Sequence, residues 1–262
     1  MEVRRVALDT GVHLAVADRD GQIPVVLLHA WGETHEIFSD LLPLLPSNLR
    51  LVVPDQRGVG DSDKPSSGYE FADAADDIRG LLDALGIDRA WLVGASSGGY
   101  LAQRVAVDHP DRIAGLLLVG APRSLRGIGD PFGEALRGLG DPITVEKVDA
   151  LVGDIPTVQP IPWETMQRSN VAATTIPAHV WRVTYQALLD ATAPTDDGTI
   201  DAPTLIMWGA DDALLPRSDA DLLHRAIDGS EMTVYPDTGH LVLLERTQWV
   251  ARDIADFLHR HS

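Results

Sequence analysis

A chain of 262 residues, 45% of them apolar, is long enough for one large α/β domain or two small ones and rich enough to bury a core. Its formal charge of −18, from 21 basic and 39 acidic residues, argues against nucleic acid and against an anionic membrane, since both select basic faces. The absence of cysteine excludes disulfides, thiol catalysis and cysteine-based metal sites.

Residues 1–10 carry Glu2, Arg4, Arg5 and Asp9 and no apolar leader, and the longest apolar stretches, 23–31 and 113–122, are too short to span a bilayer. A cytoplasmic location is therefore expected. Residues 2–8 and 12–17 flank the turn at Thr10-Gly11 and read as an antiparallel hairpin. Short, continuously apolar runs follow at 24–29, 49–54, 90–94, 113–120, 203–208 and 231–235. Continuous rather than alternating apolarity is what strands buried on both faces require, as in a parallel sheet. Between the runs, Phe71, Ala75, Ile78, Leu82 and Leu85 share one helical face. Leu101 with Val105, and Ala102 with Ala106, do so on a second helix, and Val250, Ile254, Phe257 and Leu258 on the last. Strands alternating with helices predict an α/β fold with a helix-covered, mostly parallel sheet of eight strands.

The alternation stops between Arg123 and Ile200. Four helix-like pieces, 131–139, 143–152, 162–170 and 177–190, carry Phe132, Trp163, Met166, Trp181 and Tyr185. A helical insertion of this size between two core strands reads as a lid. The division is then a core of 1–122 and 201–262 with a cap of 123–200.

The chemistry-bearing signal is Gly94-Ala95-Ser96-Ser97-Gly98, set directly after the run 90–93 and directly before a helix. A strand-to-helix turn this tight strains its central residue and lifts the side chain clear of the backbone. The flanking positions must be small where strand and helix would collide. The N–H of Ser97 opens the helix, where the dipole favours an oxyanion. A serine hydroxyl needs a base. Among nine histidines, His240 in Asp237-Thr238-Gly239-His240 leaves the last strand at the sheet edge that also carries the elbow. His35 and His179 are the other histidines able to face a pocket. The acid is expected after the run 203–208, where Asp211 and Asp212 are both candidates. The loop His29-Ala30-Trp31-Gly32 supplies a second oxyanion donor from the N–H of Trp31, with the His29 ring anchoring the loop.

These residues resemble the α/β-hydrolase superfamily, and within it the small cofactor-independent esterases, lactonases and haloperoxidase-like perhydrolases. Asp55-Gln56-Arg57-Gly58-Val59-Gly60-Asp61-Ser62 is similar to the family's D-x-R-G-x-G-x-S loop, and residues 108–113 to its segment after the elbow helix. Gly209-Ala210-Asp211-Asp212 is similar to its G-x-x-D acid loop, a likeness that selects Asp212, and Gly239-His240 to its base loop. The resemblance implies a Ser96, Asp212, His240 triad that cleaves an ester or lactone without a cofactor. Perhydrolysis, C–C bond hydrolysis and ligand reception are alternatives on the same fold. Two positions depart from the family: Ala30 stands where glycine is usual, and Ser97 where Met, Leu or Phe is common. An apolar or aromatic substrate of modest size is expected to meet Trp31, Trp163, Met166, Trp181, Leu214, Leu215 and Leu241. Arg123 is a candidate partner for a substrate carboxylate. A homo-oligomer is left open.

Overall fold

The computed structural model describes residues 1–126 and 129–261; residues 127 and 128 of the expected cap and Ser262 of the expected core lie outside the described residues. The eight strands are β1 (Glu2–Ala7), β2 (His13–Arg19), β3 (Ile23–Leu28), β4 (Leu49–Pro54), β5 (Ala90–Ala95), β6 (Ile113–Val119), β7 (Thr204–Gly209) and β8 (Glu231–Tyr235). They form one sheet in the order β1-β2-β4-β3-β5-β6-β7-β8. Only β2 runs against its neighbours, and every other pair is parallel.

Both faces of this sheet are covered, which accounts for the unbroken apolar runs. Along β3, Val26 and Leu28 join Leu92, Leu116 and Ile206 beneath helices α1 (Phe71–Ala84) and α2 (Ser97–Asp108). The alternate residues Val25 and Leu27 point the other way, with Val93, Leu117 and Met207. They pack against Phe38, Leu41 and the apolar face of the last helix. Four further helices lie late in the chain: a one-turn α7 (Pro194–Asp197) just before β7, then α8 (Arg217–Ala226), α9 (Val242–Glu245) and α10 (Thr247–His261) after it.

From β3 the chain passes to β4 on one side and returns to β5 on the other. The loops leaving β3 and β5 therefore diverge and open a crevice at the carboxyl edge of the sheet. The D-x-R-G loop after β4 is built rather than loose. Arg57 grips buried Asp77 through Nε and Nη2, both at 2.6 Å, and the Ser62 hydroxyl donates to the Asp55 carbonyl at 2.6 Å.

Between β6 and β7 lie α3 (Gly133–Arg137), α4 (Val145–Val152), α5 (Trp163–Ala173) and α6 (Ala178–Asp190), together with α7. Their apolar faces form a separate cluster that includes Leu136, Val148, Leu151, Val180 and Trp181. The helices begin one or two residues later than the sequence pattern predicts. Thr144 caps α4 by accepting from the N–H of Lys147, and Pro162 and Pro177 sit at the N-caps of α5 and α6. A proline there forfeits no intrahelical bond. The α7 turn is not predicted by the pattern, which four residues are too few to establish.

Candidate active site

Ser96 sits between β5 and α2 at φ 46°, ψ −119°, a left-handed backbone that a non-glycine residue rarely adopts. Three features hold it there. Its N–H donates to Val119 O of β6 at 2.8 Å, and its carbonyl accepts from Gly99 N at 2.8 Å. Its neighbours also leave no alternative: a Cβ on Gly94 would lie 2.4 Å from Gly99 Cα, and one on Gly98 would lie 2.1 Å from Leu28 O. The small residues of the motif are thus fixed by strand, helix and the loop after β3 meeting at one point.

His240 Nε2 is 3.0 Å from Ser96 Oγ, and His240 Nδ1 is 2.8 Å from Asp212 Oδ2. The side chains of His240 and Asp212 are 3% and 1% exposed, so this chain of hydrogen bonds is shielded from water. The other oxygen of Asp212, Oδ1, accepts the N–H groups of Leu214 and Leu215, each at 2.9 Å. Asp211, the other sequence candidate, is exposed and meets the base loop only through its backbone, Asp211 N to Thr238 O at 2.9 Å. The base loop is pinned from beneath by Arg246, whose guanidinium donates to Thr238 Oγ1, Pro236 O and Asp237 O. Glu245 Oε2 accepts from Gly239 N at 3.0 Å and from Val158 N and Gln159 N, between α4 and α5, at 3.0 and 2.8 Å.

The loop after β3 carries His29, Ala30 and Trp31. The His29 ring accepts from Gln56 N at Nε2, 3.0 Å, and faces Ala30 O with Nδ1 at 2.9 Å. That pairing fixes a neutral tautomer, and burial pushes its pKa down. His29 therefore anchors the loop and stands apart from the serine. The N–H of Trp31, expected to face a tetrahedral oxygen, is donated to Ser97 Oγ at 2.6 Å. The N–H of Ser97 lies in the first turn of α2, where no intrahelical acceptor exists.

Above the serine lies a cleft whose empty space, open solvent included, is about 1020 Å³. Of the expected wall residues, Trp31, Met166, Leu214, Leu215 and Leu241 line it with Ser96, Ser97 and His240. Trp163 and Trp181 do not. Trp163 is 67% exposed: it lies two residues, about 200° of helix rotation, from Thr165 on the buried face of α5. Trp181 is wholly buried behind the loop, edge-on to Trp31 at 5.0 Å, in the space that Gly32 leaves by having no Cβ (φ 77°, where a Cβ would fall 2.3 Å from the indole). It lines a second cavity, on the other side of the loop, whose empty space with open solvent included is about 610 Å³. Arg123 pairs with Asp196, His35 with Asp55 at 2.9 Å, and His179 packs edge-on to Tyr69, so none of the three reaches the main cavity.

Sequence reasoning missed Phe132, Tyr185 and Leu188 as lining residues, and it missed Glu33. Nothing in the pattern marks Glu33, because only the turn of the loop brings it into the cavity wall. Its Oε2 accepts from Ala30 N at 2.9 Å. Burial pushes its carboxyl up to about 7, an effect opposed by that N–H and by His240 nearby. An acid raised in this way holds its proton in the fold at pH values where the unfolded chain has released it. Stability is then lost as pH rises from about 4.5 to about 7. Glu33→Gln is expected to leave thermal unfolding unchanged at pH 4.5 and to raise the midpoint by several degrees above pH 8, about 3 kcal/mol at most. A scan of both proteins from pH 4.5 to 8.5 checks this; equal midpoints throughout would contradict it.

A strained serine between strand and helix, on an eight-stranded sheet with one antiparallel hairpin edge, defines the α/β-hydrolase class. The chain belongs to this family: residues 23–136 match its model, described as alpha/beta hydrolase fold. It is 30% identical over 244 residues to a pimeloyl-[acyl-carrier protein] methyl ester esterase of Neisseria meningitidis, covering 89% of this chain and 92% of that one. It is 28% identical over 270 residues to a 2-hydroxy-6-oxo-2,4-heptadienoate hydrolase of Pseudomonas putida, covering 98% and 96%. An esterase from Exiguobacterium antarcticum shares the fold, with a TM-score of 0.87 at 24% identity over 97% of this chain and 98% of that one. Among the described residues no helix is long and apolar enough to cross a membrane.

Proposed function

We propose that the chain is a serine hydrolase that cleaves a carboxylic ester or lactone of a small, uncharged, apolar or aromatic substrate through an acyl-enzyme on Ser96. The observation that carries this reading is the buried hydrogen-bond chain Ser96–His240–Asp212 opening into a largely apolar cavity. His240 Nε2 takes the Ser96 proton as Oγ attacks the carbonyl carbon. The tetrahedral oxyanion is held beside the N–H of Ser97. Collapse expels the alkoxide, which leaves with the proton from His240. Water then adds to the acyl carbon by the same route, giving up its proton to His240. The acid is released and Ser96 recovers its hydrogen. Asp212 keeps the His240 proton on Nδ1 and stabilises the imidazolium.

Charge on the cavity wall favours neutral substrates. No lysine or arginine lines it among the described residues, and Glu33 adds negative charge above pH 7. A substrate carrying a carboxylate, such as the dienoate in the name of the Pseudomonas putida relative, would meet no cation and a like charge. This supports ester or lactone cleavage over C–C cleavage of such an acid. A panel of p-nitrophenyl esters tests the reading. Acetate, butyrate and benzoate esters are expected to be hydrolysed with kcat/KM at least about tenfold above the hemisuccinate ester at pH 8, about 1.4 kcal/mol of discrimination. A preference for the hemisuccinate would overturn it.

A further inference from the structure

The side chain of Ser97 occupies a place that the reading above leaves unused. Ser97 is the first residue of α2, 8% exposed, and lines both the main cavity and the one behind Trp31. Its Oγ takes the Trp31 N–H at 2.6 Å. This has two consequences. While Ser97 Oγ holds the Trp31 N–H at 2.6 Å, that N–H has no free axis for a second oxygen. A hydroxyl has one proton to give, and among the described residues no protein group accepts that of Ser97. The unmatched donor lies one residue from the nucleophile, beside the N–H that meets the oxyanion. Accepting a hydrogen bond also makes a hydroxyl a stronger donor. The apolar residues common at this position in the family have neither property.

We propose that Ser97 is a catalytic residue through its side chain as well as its backbone: its hydroxyl donates the second hydrogen bond to the tetrahedral oxyanion, and the Trp31 N–H orients and polarises that hydroxyl from behind. The proton stays on Ser97 Oγ throughout, so the step forms and releases a hydrogen bond and breaks no covalent bond. As the carbonyl carbon becomes tetrahedral, the oxyanion supplies the acceptor that the ground state lacks, and an interaction strengthened at that moment raises kcat rather than lowering KM.

The inference rests on the acyl-enzyme reading, and its test separates the two. Wild type, Ser97→Ala and Ser97→Thr are assayed with p-nitrophenyl butyrate, and the affinity of each for an aryl trifluoromethyl ketone, which binds as a tetrahedral anion, is measured alongside. Ser97→Ala is expected to lower kcat about 10- to 100-fold, less than loss of an isolated donor because water entering the gap returns part of the bond. KM should stay within about threefold while the ketone weakens by the same factor as kcat/KM. Ser97→Thr, which keeps the hydroxyl, should restore most of both. A residue that merely packed the elbow would not shift the ketone in step with kcat, and thermal unfolding of each variant identifies general damage. Unchanged or higher kcat in Ser97→Ala would overturn the proposal, because the freed Trp31 N–H would then serve directly. If wild type neither hydrolyses the ester nor is labelled at Ser96 by a fluorophosphonate, the acyl-enzyme reading itself fails, and this proposal with it.

Discussion

Replacing Ser96 by alanine is expected to abolish hydrolysis of short p-nitrophenyl esters, with kcat falling by about 10⁴-fold or more while the fold persists. The size follows from the chemistry: without Oγ there is no acyl-enzyme, and only the residual effect of the oxyanion donors and of binding survives. Stability should not suffer. Alanine removes one oxygen, and the φ 46° backbone at this position costs a serine as much as an alanine. Among the described residues the His240 ring, at 3.0 Å, is the only hydrogen-bond partner that the side chain loses. The measurement is kcat for p-nitrophenyl acetate together with thermal unfolding. Near wild-type turnover in a folded variant would remove Ser96 from the mechanism.

Asp212→Asn is expected to lower kcat by about 10⁴-fold in a protein that folds normally. The geometry dictates how the amide settles. The two N–H groups of Leu214 and Leu215 demand an oxygen at the Oδ1 position, so the amide oxygen stays there and the NH₂ group turns to His240 Nδ1. His240 must then accept at Nδ1 and carry its proton on Nε2, facing Ser96 with a donor where a base is needed. Asp211→Asn makes the contrasting case. Its side chain is exposed, and its turnover should stay within about twofold of wild type. Equal losses in the two variants would show that the acid has been placed wrongly.

The sheet was legible because its central strands β3, β5, β6 and β7 are buried on both faces, so their sequences are almost continuously apolar, and because glycines and prolines mark the turns. The Ser96 turn was legible for a different reason: three backbone segments converge on Gly94 and Gly98, and that crowding leaves a pattern in consecutive residues. Separation of Asp212 from Asp211 needed the family likeness, since two adjacent aspartates in one loop differ only in which way the chain turns. The cavity wall was harder to read. The buried face of α5 is Thr165, Ser169, Asn170 and Ala173, while the tryptophan at its first position points to solvent, so hydrophobicity ranked the residues of that helix in the wrong order. Trp181 is expected against substrate and stands instead behind the loop, because no local pattern tells a wall of one cavity from the support behind it. Glu33 and the bond between Ser97 and Trp31 arise from loops 66 residues apart or from a single turn, and neither has a sequence period.

The groups that would carry out the reaction and much of the wall that would select its substrate come from separate stretches of the chain. Ser96, Ser97, Asp212 and His240 stand just past the ends of core strands, whereas Phe132, Met166, Tyr185 and Leu188 lie between β6 and β7, on or at the end of the helices there. A change on those helices alters the shape of the chamber without entering the crowded backbone around the serine. Preference can therefore drift, under natural selection or in a mutant library confined to these wall positions, while reactivity is inherited intact. The architecture is in this sense an evolvable one.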